Sequence, residues 1–137
     1  MSLNTIELSS GPAPQASIII LHGLGADGTD FIPMCDALDL SSVGPVRCVM
    51  PRAPERPVTI NNGYRMRAWY DILGTELQRR EDEAGLRESM RQVHALLRFL
   101  KAGAQRFGSP VVRTSWEKAH PFWERSAACL ISLVLGF

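Results

Sequence analysis

The first long apolar run, Ser17-Ile18-Ile19-Ile20-Leu21, has no polar alternation. A strand covered on both faces reads this way, so the run predicts a central strand of a mainly parallel sheet. Gly23, Gly25 and Gly28 come immediately after it. Residues 30–38 then predict a short helix capped by Thr29 or Asp30, with Pro33 tolerated only in its first turn. Val46-Arg47-Cys48-Val49-Met50 predicts a second strand, stopped by Pro51 and Pro54. Three prolines and the turn signal Asn61-Asn62-Gly63 mark residues 51–67 as an irregular surface excursion, with Ala68-Trp69-Tyr70-Asp71 as a short strand leaving it. From Asp82, apolar Leu86, Met90, Val93, Leu97 and Leu100 recur at steps of three and four, predicting a helix with one buried stripe. Asp82 and Glu83 cap and charge its N-terminus. The order strand, glycine turn, helix, strand, helix predicts an α/β fold.

Composition narrows the class. The 137 residues carry 15 Lys and Arg against 14 Asp and Glu and are 45% apolar, as in one globular domain. A net charge of +1 supplies no broad attraction to phosphate, so no nucleic acid partner is expected. No basic region precedes an apolar run at the N-terminus, which makes the cytosol the expected compartment. The longest apolar run, Ala127 to Phe137, is 11 residues and too short to cross a bilayer. Cys35, Cys48 and Cys129 fit neither a disulfide framework nor a C-x-x-C metal site, and read as reduced, buried small hydrophobes. Charge and pattern shift late in the chain. Residues 1–50 hold five acids and one base, whereas 101–137 hold five bases and two acids. The chain therefore divides into 1–97, one part of an α/β domain, and a divergent stretch 98–137.

The glycine turn admits two chemistries. Gly23-Leu24-Gly25-Ala26-Asp27-Gly28 matches G-x-G-x-x-G between a strand and a helix, the pattern of a dinucleotide-binding module. That module wants an acid at the end of the second strand, where Met50-Pro51-Arg52 stands instead. The other reading starts from His22-Gly23 at the carboxyl end of the strand, where glycines let the backbone N–H groups approach a developing oxyanion. A tight turn closed by a hydrogen-bonded histidine would give the same residues.

Ile18 to Gly28, then Phe31, Pro51-Arg52-Ala53-Pro54, Arg56-Pro57-Val58-Thr59, Asn62-Gly63, Met66 to Ile72 and Asp82 to Leu86 together resemble the phospholipase/carboxylesterase family that includes acyl-protein thioesterases. The resemblance covers about residues 16–97 in order and spacing. It implies a cytosolic α/β-hydrolase that cleaves carboxylic esters or thioesters through a Ser-Asp-His triad, without a cofactor or metal. Its substrates would be acyl esters or thioesters, small or carried on an acylated protein. It also implies that Leu24 gives one oxyanion N–H, at the turn of His22, Gly23 and Gly25, and that Met66 and Trp69 border the acyl site. Ordinary core packing is the other reading of Trp69.

The pattern fails after the long helix. The family's nucleophile elbow, Gly-Phe-Ser-Gln-Gly-Gly, has no counterpart, and the nearest candidate nucleophile is Ser126, in Glu124-Arg125-Ser126-Ala127-Ala128. Eleven residues come after it, none of them Asp, Glu or His, although Asp and His lie beyond the nucleophile in this fold. A substitute triad of Ser126 and His120 with Asp71 or Asp82 would need a sharp reversal of the chain. Loss of a triad typically costs on the order of 10⁶ in turnover. The expectation is an incomplete α/β-hydrolase, truncated or frameshifted after about residue 98 and inactive by itself. The alternative is a non-catalytic remnant that binds acyl ligands or partners, with the apolar run Ala127–Phe137 favouring self-association.

Overall fold

A computed structural model describes residues 3–74 and 82–106. Strands β1 (Thr5–Ser9), β2 (Ala16–Ile19) and β3 (Val46–Pro51) form a sheet of order β1-β3-β2. The sheet is mixed. β3 pairs parallel with β2, from Ala16 opposite Val46 to Ile19 opposite Val49, and antiparallel with β1, from Thr5 opposite Pro51 to Ser9 opposite Arg47. Among the described residues β3 is therefore the central strand rather than β2. The alternation in Thr-Ile-Glu-Leu-Ser is too brief to predict β1, which gains its order from pairing with β3.

The non-alternating runs are explained by two covered faces. Ile19, Leu21 and Val49 point to one side and meet Ala53, Trp69, Val93, Leu97 and Leu100. Ile18, Ile20, Cys48 and Met50 point to the other and are packed by Phe31, Ile32, Met34 and Cys35. That second layer is a 3-10 turn, Gly28–Phe31, running into helix α1, Ile32–Ala37. Its cap is Asp27 rather than Thr29 or Asp30. The Asp27 carboxylate accepts from Thr29 N–H, and the Asp30 carboxylate accepts from Asp27 N–H, a reciprocal capping box. Pro33 lies in the first turn of α1, where its missing N–H removes no helical bond.

Residues 51–67 are more regular than their prolines suggest. β4 (Glu55–Val58) and β5 (Tyr64–Arg67) form an antiparallel hairpin, Glu55 opposite Arg67 and Val58 opposite Tyr64. Pro57 is tolerated because a two-stranded ribbon is all edge. The turn is a 3-10 stretch, Thr59–Asn61, closed by Asn62 at φ 53° and Gly63 at φ 73°. Residues 68–71 form no strand; the chain is tied there by side chains and by an Ile60 N–H to Ile72 carbonyl bond of 3.0 Å.

Helix α2 spans Glu83–Arg106, past the 97/98 division. Val93, Leu97 and Leu100 lie in the core, but Met90 is exposed and Ser89 takes its place inside. Ser89 is buried because its hydroxyl donates to the Trp69 carbonyl. Asp82 caps the helix, its Oδ1 accepting from Gly85 N–H at 2.9 Å, as its position before Glu83 predicts. No helix among the described residues is long and apolar enough to cross a membrane.

Candidate functional site

The parallel strand β2 delivers residues 20–22 to the carboxyl end of the sheet, and the chain turns there through His22–Gly28. His22 is fully buried. Its Nε2 accepts the Ala53 N–H at 2.9 Å, and its Nδ1 lies 2.8 Å from the Gly23 carbonyl, an atom that can only accept. The two bonds require the tautomer carrying its proton on Nδ1. Both ring nitrogens are thereby occupied, so His22 has no free lone pair for proton abstraction. It fastens the turn to the segment after β3.

Trp69 completes this fastening. Its Nε1–H donates to the His22 carbonyl at 2.9 Å, and its ring sits 5.4 Å from the imidazole. The indole is 6% exposed and packed among Ile19, Leu21 and Val49. It therefore stands in the core directly beneath the turn.

A second fastening holds the glycines. Gly25 N–H donates to the Arg67 carbonyl at 2.9 Å, with Gly25 at φ 72°, where a side chain would be strained and would also meet Met66 Sδ. Gly28 is required by close approach: a Cβ there would stand 2.9 Å from the Met50 carbonyl oxygen. Asp27 pairs with Arg52 Nε at 3.0 Å and with Arg67 Nε at 2.7 Å, and Arg67 Nη1 donates to the Ala53 carbonyl at 3.0 Å. Burial pushes the Asp27 carboxyl upward, but the hydrogen bonds from Thr29 and the Arg52 guanidinium outweigh it, and the group lies below the ordinary 3.8. Sequence pattern does not disclose this trio. Arg52 and Arg67 are visible in the blocks Pro51-Arg52-Ala53-Pro54 and Met66-Arg67-Ala68-Trp69, but no local spacing ties either to Asp27.

Among the described residues, the N–H groups of His22, Gly23 and Leu24 are left without a hydrogen bond, whereas Gly25 N–H and Ala26 N–H are both bonded. Leu24 is 36% exposed, and Met66 flanks the turn with its Sδ 3.4 Å from Asn61 Nδ2. The turn thus presents a free backbone donor beside a thioether, with the nearby guanidinium charges held by Asp27. In general, a fixed backbone N–H dipole can stabilise an oxygen that becomes negative. The dinucleotide reading loses its support here, because the turn leads into a short 3-10 stretch and a six-residue helix rather than a long helix N-terminus.

The other titratable candidates are occupied. Asp71 accepts from Thr59 N–H and hydroxyl at 2.7 and 2.5 Å, and Asp82 accepts from Gly85 N–H and Asp71 N–H. Ser126 and His120 lie outside the described residues.

A family model described as phospholipase/carboxylesterase matches residues 3–106. Acyl-protein thioesterase 1 of Schizosaccharomyces pombe is 39% identical over 95 residues, 69% of this chain and 42% of that protein. The corresponding protein of Mycosarcoma maydis is 40% identical over 91 residues, 65% of this chain and 38% of that protein. Among solved structures, Zea mays acyl-protein thioesterase 2 superposes with a TM-score of 0.61 at 30% identity, covering 69% of this chain and 39% of that one. Arabidopsis thaliana SOBER1 gives 0.59 at 32%, covering 64% and 42%. The chain spans about two fifths of the length of these relatives. With the family match running from before β1 to the end of α2, this chain belongs to the phospholipase/carboxylesterase family of α/β-hydrolases.

Proposed function

We propose that this chain provides the oxyanion side of an acyl ester or thioester hydrolase, and that residues 1–137 alone do not turn substrate over. The observation that carries the first part is the unbonded Leu24 N–H at the carboxyl end of β2. In acyl transfer a serine attacks the carbonyl, a histidine takes the serine proton, and backbone N–H groups hold the oxygen as it becomes negative. Leu24 would be one of those donors. Gly25, held to Arg67, and Gly23, held to His22, fix its direction before substrate arrives, so no reorganisation is needed at the moment of reaction. Met66 would border the acyl chain, with Trp69 forming the floor beneath the turn.

The second part rests on the sequence. Residues 1–137 contain no Gly-x-Ser-x-Gly elbow and no Asp or His after Ser126. Ser126 is the serine to test as a nucleophile. The substrate class is an acyl ester or thioester, on a small molecule or on an acylated protein, handled in the cytosol. The apolar run Ala127–Phe137 is the stretch through which copies of the chain would associate.

Two assays test this. Residues 3–106 exchanged for the matching segment of the fission yeast relative should give a hydrolase of a short-chain nitrophenyl ester. Leu24→Pro in that chimera should lower kcat by about 10²–10³. A folded chimera whose rate is indifferent to Leu24→Pro overturns the oxyanion role. Residues 1–137 should show no turnover; hydrolysis abolished by Ser126→Ala would overturn their incompetence.

A further inference from the structure

Asp27-Gly28 and Asn62-Gly63 each put a glycine directly after a side chain whose Cγ lies within reach of the next backbone nitrogen. Glycine matters there because it has no Cβ to hinder the approach of its own nitrogen. The structure separates the two pairs. Gly28 is buried against the Met50 carbonyl, and the Asp27 carboxylate is bound by Thr29, Arg52 and Arg67. An ionised carboxylate held by two guanidinium groups is a poor electrophile, and the crowded backbone around it has no room to turn. Asn62 and Gly63 are both exposed, at the tip of the β4–β5 hairpin. Nothing stands within 4 Å of a Cβ built on Gly63, and no hydrogen bond among the described residues uses the Asn62 side chain. Asn61 differs from its neighbour. Its Nδ2 is engaged with Met66 Sδ at 3.4 Å, and the residue after it carries a side chain.

We propose that Asn62 is a self-modification site, at which the Gly63 backbone nitrogen displaces the side-chain amide and leaves aspartate or isoaspartate at position 62. The Gly63 nitrogen gives its proton to solvent and bonds Asn62 Cγ; the Cγ–Nδ2 bond breaks, and ammonia leaves. Water then opens the five-membered imide. Addition at Cγ breaks the new bond and gives aspartate, whereas addition at the Asn62 carbonyl carbon breaks the original peptide bond and gives isoaspartate. One water is consumed for each ammonia released, and no atom changes oxidation state. To reach Cγ, the Gly63 nitrogen must leave the Val58 carbonyl, which its N–H meets at 3.0 Å. A single bond at an exposed tip opens far more readily than the core. Asn62 is also held at φ 53°, against the backbone preference of a residue with a side chain, so opening relieves it. The product adds a negative charge to a hairpin in which Arg56, Arg65 and Arg67 outnumber Glu55. Aspartate tolerates the left-handed conformation, but isoaspartate inserts one more atom into the backbone of the turn. This reaction does not depend on the ester chemistry of the glycine turn.

The test incubates the full chain, folded, in neutral to mildly alkaline buffer and follows each position by mass spectrometry. The tryptic peptide 53–65 holds two side-chain amides, Asn61 and Asn62, which fragment masses distinguish. Isoaspartate is counted separately, by methyl transfer from S-adenosylmethionine with an isoaspartyl methyltransferase. The expected result is loss of the Asn62 amide to a mixture of aspartate and isoaspartate, with Asn61 and Asp27 unchanged. In urea, where Gly28 is no longer pressed on Met50, isoaspartate should appear at position 27 as well. Asn62→Gln, whose longer side chain closes the ring poorly, should abolish the conversion. A folded chain that keeps its Asn62 amide while the urea-unfolded chain loses it overturns the proposal, because the turn would then be a shield. Isoaspartate at position 27 of the folded chain, appearing as fast as at position 62, does the same.

Discussion

The Trp69 indole N–H bonds the His22 carbonyl at 2.9 Å, while the Trp69 carbonyl accepts the buried Ser89 hydroxyl. One residue thereby joins the end of β2 to helix α2 through both its side chain and its backbone. Trp69→Phe keeps most of the ring volume but strands a buried carbonyl, and should cost about 1–3 kcal/mol. His22→Ala strands the Ala53 N–H and opens a cavity, and should cost more. Urea unfolding of the two variants checks the order.

The glycines of the turn should differ in kind. Gly28→Ala pushes a methyl against the Met50 backbone, which cannot yield as a flexible side chain can, and should destabilise by about 1–3 kcal/mol. Gly25→Ala is opposed by its positive φ, at roughly 1–2 kcal/mol. Since Gly25 N–H meets Arg67, amide hydrogen exchange at Gly25 should speed up in the second variant more than in the first.

At the mouth of α2 a glycine is crowded by side-chain ends rather than by backbone. A Cβ on Gly85 would collide with Asp82 Oδ2 and with the Arg56 guanidinium, which pairs with that carboxylate at 3.7 Å. Alanine there would raise helix propensity by about 1 kcal/mol in an open helix. Here it should instead lower the melting temperature, because the clash breaks the cap and the tie to β4 together. A higher melting temperature for Gly85→Ala would show that the Asp82 cap moves aside freely.

Acid should loosen the hairpin. Burial raises the Asp71 carboxyl, but the Thr59 bonds, the Ile72 N–H and the Arg56 charge outweigh it, and like Asp27 it lies below 3.8. The unfolded chain therefore takes up protons at a higher pH than the folded one. The stabilisation is complete above the ordinary carboxylate range and is lost as pH falls from about 5 through the depressed values. Asp71→Asn should flatten the dependence of melting temperature on pH between about 5 and 3, and an unchanged slope would deny Asp71 this role.

Much of this is legible in the chain. Runs such as Ile18–Leu21 encode two covered faces, and the spacing of Val93, Leu97 and Leu100 encodes a buried stripe. Met90 misleads because hydropathy ignores a hydroxyl with a buried acceptor, which is how Ser89 comes to hold the inner position. The hairpin hides behind Pro54 and Pro57, since proline argues against a strand only where a ladder needs its N–H. β1 is too short and too polar to stand out. At the site, glycine and histidine positions are visible as a pattern, but the tautomer of His22 and the pairing of Asp27 depend on residues far along the chain.

That dependence bears on transplanting the turn. His22 is bonded 31 residues ahead to Ala53 and 47 ahead to Trp69, and Asp27 reaches 25 ahead to Arg52. The seven residues His22–Gly28 are thus not a portable cassette. Moved alone onto another sheet, they would keep their glycines and lose their shape, and a graft must carry β3, the hairpin and Trp69 with it.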